Sequence, residues 1–321
     1  MRVAVWIVMC GVLAVWSATL TAQPYPAKPV RMVVAYPAGG SIDTTARLVA
    51  PRLAEIFGQP FIIDNRSGAA GNIGTDFVAK SPADGHTLLM GSAAAIASSP
   101  SMYAKLPYDP LRDLAPIILI ANQPNVLTVH PSVPSRNLKE FIALARANPG
   151  KFNYGSSGVG ATQHMTAELF AMATGVKIVH VPYRGGTPAM TDLVAGHIDF
   201  MFTPAPNAVP FVRSGRVRGL AVTGLKRSAT LPELPTMHEA GLKDFELLGW
   251  IGLLAPAGTP PPVIERLNVE VQRMLGGDLK AKLLDLGLDT AGGTHAQFSE
   301  FIRRDIAKYA KIMKAAAIPL Q

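Results

Sequence analysis

The chain has 321 residues, 49% of them hydrophobic, with a formal net charge of +8 and a single cysteine. Its lysines and arginines are scattered rather than gathered into a stripe, which argues against a nucleic-acid partner, and one cysteine excludes a disulfide framework. A diffuse positive field still suits small anions.

Met1-Arg2 followed by the apolar run Val3 to Val15 has the charge, length and flank of a secretory leader. At 13 residues the run falls short of the about 20 that a membrane span needs. Cleavage is expected after Ala22, exporting the mature chain. Cys10 lies inside the leader, so the mature protein would carry no thiol and would tolerate an oxidising compartment. About 300 residues remain, which suits two lobes better than one core.

From Val30 onward, strand-type runs alternate with helix-type runs, the grammar of a mostly parallel sheet covered by helices. Strands are expected at Val30 to Ala35, Phe61 to Asp64, Thr87 to Met90 and Ile117 to Ile120, with helices at Asp43 to Phe57 and Asn72 to Lys80. A second series has strands at Val126 to Val129, Phe152 to Tyr154, Ile178 to Val181, Ile198 to Phe202 and Leu220 to Thr223. Its helices are Leu138 to Ala147, Thr162 to Ala173 and Pro188 to Ala195. The series share words: Thr75-Asp76-Phe77-Val78-Ala79-Lys80 before one strand parallels Thr191-Asp192-Leu193-Val194-Ala195-Gly196 before another.

The last segment holds the apolar run Leu247 to Ala255, a Thr259 cap with prolines behind it, and helices Val263 to Leu275, Leu279 to Leu286 and Gln297 to Ala315. Without a complete sheet of its own, it should return to the first lobe. The expected division is therefore a leader (1–22), lobe I (23–124 and 247–321) and lobe II (125–246), joined by two crossing segments near Gln123 and Leu247 that act as a hinge.

Four turns rich in glycine and hydroxyl groups fall at the carboxyl ends of expected strands, where open α/β sheets bind ligands. They are Gly39-Gly40-Ser41, Gly91 to Ala95, Gly155 to Thr162 and Tyr183 to Thr187. The first joins a strand to an amphipathic helix, so its glycines permit close approach while the unpaired amides and dipole of the helix attract negative charge. Each alone can be an ordinary tight turn; four in two paired lobes point to a binding site. His164, in a first helical turn, can face a ligand or cap and pack. Asp43 reads as a helix N-terminal residue interacting with the dipole. Arg184 is the best single cation for a carboxylate, because its fork can hold both oxygens, with a solvated outward position as the alternative.

Catalytic signatures are missing. There is no Gly-x-Ser-x-Gly elbow, Walker loop, Gly-x-Gly-x-x-Gly or His-Glu-x-x-His, and the seven histidines show no metal-site spacing. No cofactor or metal is expected. Ser157 with His164 can mimic a nucleophile and base, which leaves a secreted α/β hydrolase as an alternative.

Several motifs together resemble the tripartite tricarboxylate transporter substrate-binding family, the Bug or TctC-like periplasmic receptors. They are Tyr36-Pro37-Ala38-Gly39-Gly40 with Asp43 and Ala46-Arg47, the run Asn65 to Gly74, and Leu106-Pro107-Tyr108-Asp109-Pro110. With them go Gly155-Ser156-Ser157-Gly158-Val159-Gly160, His164, Val181-Pro182-Tyr183-Arg184-Gly185, Leu234-Pro235-Thr236 with Glu239-Ala240-Gly241, and Ala255-Pro256-Ala257-Gly258-Thr259-Pro260. The match spans nearly the whole mature chain.

The resemblance implies a two-lobed α/β periplasmic-binding-protein fold (a type II Venus flytrap), a small carboxylate in the cleft, a periplasmic location, and delivery to a membrane permease of one large and one small subunit. A monomer is expected, and a sensor kinase is an alternative partner. Carried over by motif, the ligand-binding residues are Tyr36, Ala38, Gly39, Gly40, Ser41, Gly91, Ser92 and Ala93 in the first lobe. In the second they are Ser156, Ser157, Gly158, Gly160, His164, Arg184 and Thr203. At Thr203 the family often has Asp; its loss here disfavours an amino acid relative to a plain mono- or dicarboxylate.

Overall fold

The computed structural model describes residues 25–320. The expected leader, with Cys10 and its cleavage point, lies outside the described residues.

Strands β1 (Val30–Val34), β2 (Phe61–Asn65), β3 (Thr87–Ser92), β4 (Leu114–Gln123), β10 (Gly249–Pro256) and β11 (Asp289–Thr290) form one sheet, in the order β11-β4-β10-β3-β1-β2. Strands β5 (Asn125–Val129), β6 (Asn153–Ser156), β7 (Val179–Pro182), β8 (Phe200–Pro204) and β9 (Arg218–Val222) form the other, in the order β7-β6-β8-β5-β9.

Both sheets are buried on two faces, because side chains alternate along a strand. On the first sheet Val30, Met32 and Val34 pack under α1 (Ser41–Phe57) and α8 (Pro261–Leu275). Val33 on the opposite face joins Val78 of α2 (Asn72–Ala79) and residues Phe298, Ile302 and Ile312, which belong to the long C-terminal helix His295–Ala315. In α1 the buried Ala46, Val49, Ala50 and Leu53 recur at helical spacing, and the helix stops at Gly58 in the left-handed conformation. In the second lobe Phe200 and Phe202 share a core with Phe141 of Leu138–Ala147 and Phe170 of Thr162–Thr174, while Met201 faces Ala189 and Leu193 of Gly186–Ala195.

Both lobes are α/β as expected; each sheet is mixed, with most of its strands running one way. Strands β1 to β4 run one way and β10 and β11 the other; in the second sheet β5 alone is reversed. The cause is the crossing. Just Pro124 separates β4 from β5, and Gly249 at the start of β10 pairs with Gln123 at the end of β4. A strand entering its sheet at the inter-lobe edge must run against strands that end there. The crossings are tied together by Thr223, whose hydroxyl accepts the Asn125 amide and donates to the Leu247 carbonyl, each at 2.9 Å.

Several features escape the sequence reading. Gly91 and Ser92 are not a turn but the last residues of β3, paired with Gly252 and Ile251 of β10. A π-type turn Ala94–Ser98 follows and continues into α3 (Ser99–Met102). The proline-rich stretch after Thr203 forms a helix, Ala205–Arg213, which tolerates Pro206 because its first turn needs no intrahelical donor. In chain order the remaining helices are α4 (Leu138–Ala147), α5 (Thr162–Thr174), α6 (Gly186–Ala195), α7 (Ala205–Arg213), α9 (Asp278–Asp285) and α10 (His295–Ala315).

Candidate functional site

Helices α1, α5 and α6 open at the carboxyl ends of β1, β6 and β7, and none has a side-chain cap. Helices α4 and α10, which open elsewhere, are capped by Asn137 and Thr294. At α8 prolines remove the first-turn donors. In the first turn of α1 the amides of Gly40, Ser41, Ile42 and Asp43 have no acceptor among the described residues. Four N–H dipoles at the positive end of a 17-residue helix can attract an anion.

The neighbouring loop is held by Asp43, which is 1% exposed. Its Oδ2 accepts the Gly39 amide at 2.9 Å and Arg47 Nε at 2.8 Å, and its Oδ1 accepts Asn65 Nδ2 at 2.9 Å. Burial alone would raise this carboxyl; the Arg47, Gly39 and Asn65 bonds outweigh it and hold the acid below its usual range. Tyr36, pushed up to about 12 by burial, donates to the Ala70 carbonyl and lies 2.6 Å from Ser92 Oγ. Gln123, where the chain crosses, donates to Ser41 Oγ at 2.8 Å.

The second lobe repeats the device. Gly160, at φ +76°, gives its amide to His164 Nδ1 at 3.0 Å; Gly39, at φ +86°, gives its own to Asp43. In both, a glycine just before the N-cap is held by the side chain of the third helical residue, a capping-box geometry moved back by one position. Gly-x-x-x-Asp and Gly-x-x-x-His at a helix start were the available sequence signal. Gly39 and Gly160 therefore already have partners for their amides, and His164, 5% exposed, holds the preceding loop and packs.

Ser156 is fully buried and lies 2.6 Å from His180 Nε2, a residue the sequence reading missed. Ser157 donates to Gln163 Oε1 at 2.6 Å, not to an imidazole, so no nucleophile–base pair forms there. Thr203 is 1% exposed, with its hydroxyl 2.7 Å from that of Thr128. Arg184 is exposed, follows β7 beside the glycine loop, and has no ion-pair partner among the described residues. Ala38 and Gly40 are exposed, Gly158 half-buried, and Gly91 and Ala93 buried. The lobes touch where Ser98 donates to the Gly160 carbonyl at 2.9 Å and Met102 lies over Gly160.

A groove of about 750 Å³ lies away from these corners, beside α2, with Lys28, Arg66 and Lys80 on its walls. Each of these cations is paired with an aspartate, Asp84, Asp64 or Asp76, so the groove offers an anion little free charge.

Residues 45–318 match the model of the tripartite tricarboxylate transporter family receptor. Among solved structures, the chain is similar to R. palustris Rpa4515 with adipate (39% identity, TM-score 0.85, covering 92% of this chain and all of that one). It is also similar to the periplasmic binding protein BugD (33%, TM-score 0.81, 92% and 100%). A third similar structure is MatC from Rhodopseudomonas palustris with bound malate (31%, TM-score 0.80, 90% and 99%). The architecture is that of a two-lobed periplasmic solute-binding protein.

Proposed function

Because the chain belongs to the tripartite tricarboxylate transporter family of receptors, we propose that it captures a small dicarboxylate between its lobes and presents it to a permease of one large and one small subunit. The observation that carries this is the row of acceptor-less amides from Gly40 to Asp43 at the start of α1. One ligand carboxylate sits on those N–H groups; the other lies within reach of Arg184 and the open first turns of α5 and α6. Adipate and malate in two similar structures support a ligand with two carboxylates. The lobes are 23–124 with 247–321, and 125–246, and closure about the Gln123 and Leu247 crossings removes the ligand from water. The receptor works in the periplasm after loss of its leader.

A thermal-shift screen across mono-, di- and tricarboxylates, amino acids and sugars tests the reading. A ligand at a hundredfold its Kd stabilises the native state by about 2.7 kcal/mol. Dicarboxylates should raise the melting temperature by several degrees. A shift with sugars and none with any carboxylate would remove the anion seat.

A further inference from the structure

The loop Ser156 to Gly160 carries the second lobe's share of the proposed site, and an imidazole holds each end of it. His164 Nδ1 accepts the Gly160 amide at 3.0 Å, so its proton sits on Nε2, facing Glu168 Oε1 at 3.7 Å. At the other end, the Ser156 hydroxyl donates to the Gly158 carbonyl at 3.0 Å and accepts the Gly158 amide at 3.1 Å. With that proton on the Gly158 carbonyl, His180 Nε2, 2.6 Å from the Ser156 hydroxyl, is placed to donate to it. His180 reaches Ser156 because β6 and β7 are parallel, with Tyr154 opposite His180 and Ser156 opposite Pro182.

The two rings stack face to face, with centroids 4.1 Å apart and planes 7° from parallel, and Tyr154 stacks on His180 at 4.8 Å. Such packing fixes ring orientation, which an isolated hydrogen bond to a loop does not. Gly160 is pinned on both sides, its amide by His164 and its carbonyl by Ser98 from the other lobe. The place where the lobes meet thus depends on the stack beneath it.

We propose that His164 and His180 are positioning residues: stacked on each other, they fix the glycine loop from its two ends in the geometry that holds the ligand and receives Ser98, without touching the ligand themselves. This rests on the receptor reading, and the test separates the two. Adipate and malate are titrated calorimetrically, at neutral pH, into the full mature chain and into four variants. His164→Leu and His180→Leu remove the polar atoms, and each should weaken binding about tenfold, the effect of one lost hydrogen bond of about 1.4 kcal/mol. His164→Asn puts an acceptor where Nδ1 stood and His180→Gln puts a donor where Nε2 stood; both should bind within about threefold of wild type.

In ligand-free protein labelled with ¹⁵N, the Gly158 and Gly160 amide protons should move upfield in the leucine variants and stay in place in the Asn and Gln variants. Wild-type affinity together with unmoved glycine signals in the leucine variants overturns the proposal. So do Asn and Gln variants that behave like leucine. If wild type binds neither these acids nor any other carboxylate of the thermal-shift screen, the receptor reading fails and the glycine signals alone decide the role of the histidines. If the leucine variants do not fold, the Asn and Gln variants decide it.

Discussion

Asp43 and His164 occupy equivalent places in the two lobes, yet they solve the problem of a buried acceptor differently. Asp43 remains charged because Arg47 and Asn65 bind it, whereas His164 is neutral, and burial with His180 beside it pulls it down to about 3. Burial likewise pulls His180 down to about 4. Both shifts act in the same direction on stability. The unfolded chain takes up protons at these histidines below about 6.5, while the folded chain does not until about 4 and 3, so stability falls as pH drops through that window. Asp43, lowered in the fold, adds stability that is present above its ordinary value of 3.8 and is lost as pH falls through its depressed one. Urea unfolding between neutral pH and about 4 should show the midpoint declining, with a shallower slope in the His164→Asn, His180→Gln double variant. Identical slopes would mean that the pair is not held neutral.

At the scale of elements, α10 shows how a helix from the end of the chain completes the first lobe. Its capping box joins Thr294 and Gln297, and Phe298 packs so closely on β10 that Gly252 has no room for a side chain. Asp305 enters the core to accept Trp250 Nε1 at 2.7 Å, and burial pushes its acid up to about 6. The folded state therefore binds this proton more tightly than the unfolded one, whose value is 3.8. Stability is lost as pH rises from about 3.8 to 6 and stays lost above it. Asp305→Asn retains an acceptor for Trp250 without a charge. It should melt a few degrees above wild type at neutral pH, with the difference closing as the solution is acidified towards 4. A variant less stable than wild type at every pH would show that the carboxylate itself is needed there.

For the whole molecule, the lobes meet where Ser98 and Met102 touch Gly160. A side chain at Gly160 meets the end of Met102 and must also adopt φ +76°, which costs an L-residue about 1–2 kcal/mol. Gly160→Val should hold the lobes apart: with saturating adipate its radius of gyration by X-ray scattering should stay near the ligand-free value, while that of wild type contracts. Equal contraction in both proteins would move the closing contact elsewhere.

Much of this was legible in the sequence because it is local. The alternation of strand and helix patterns, the amphipathic run of α1 and the glycine corners after Ala35 and Pro182 each depend on residues within a few positions of one another, whereas the expected turn at Gly155 and Ser156 is the end of β6. Some of the family motifs lie on the same corners. The reversal of β5, β10 and β11 was not visible, since strand direction follows from where the chain re-enters a sheet. Nor was Gly91 as a strand residue, which β10 fixes from about 160 positions away.

The glycines marked where the backbone turns at the strand ends, and the tertiary structure decided which of the amides there are left without partners. Gly39 and Gly160 are taken by side chains that reach back along their own helices; Gly40 to Asp43 are not. His180 finds Ser156 across a parallel ladder, and Ser98 finds Gly160 across the gap between lobes. The physical reason is that backbone propensity is a property of neighbours along the chain, whereas the state of a hydrogen-bonding group depends on which partners packing brings within 3 Å of it.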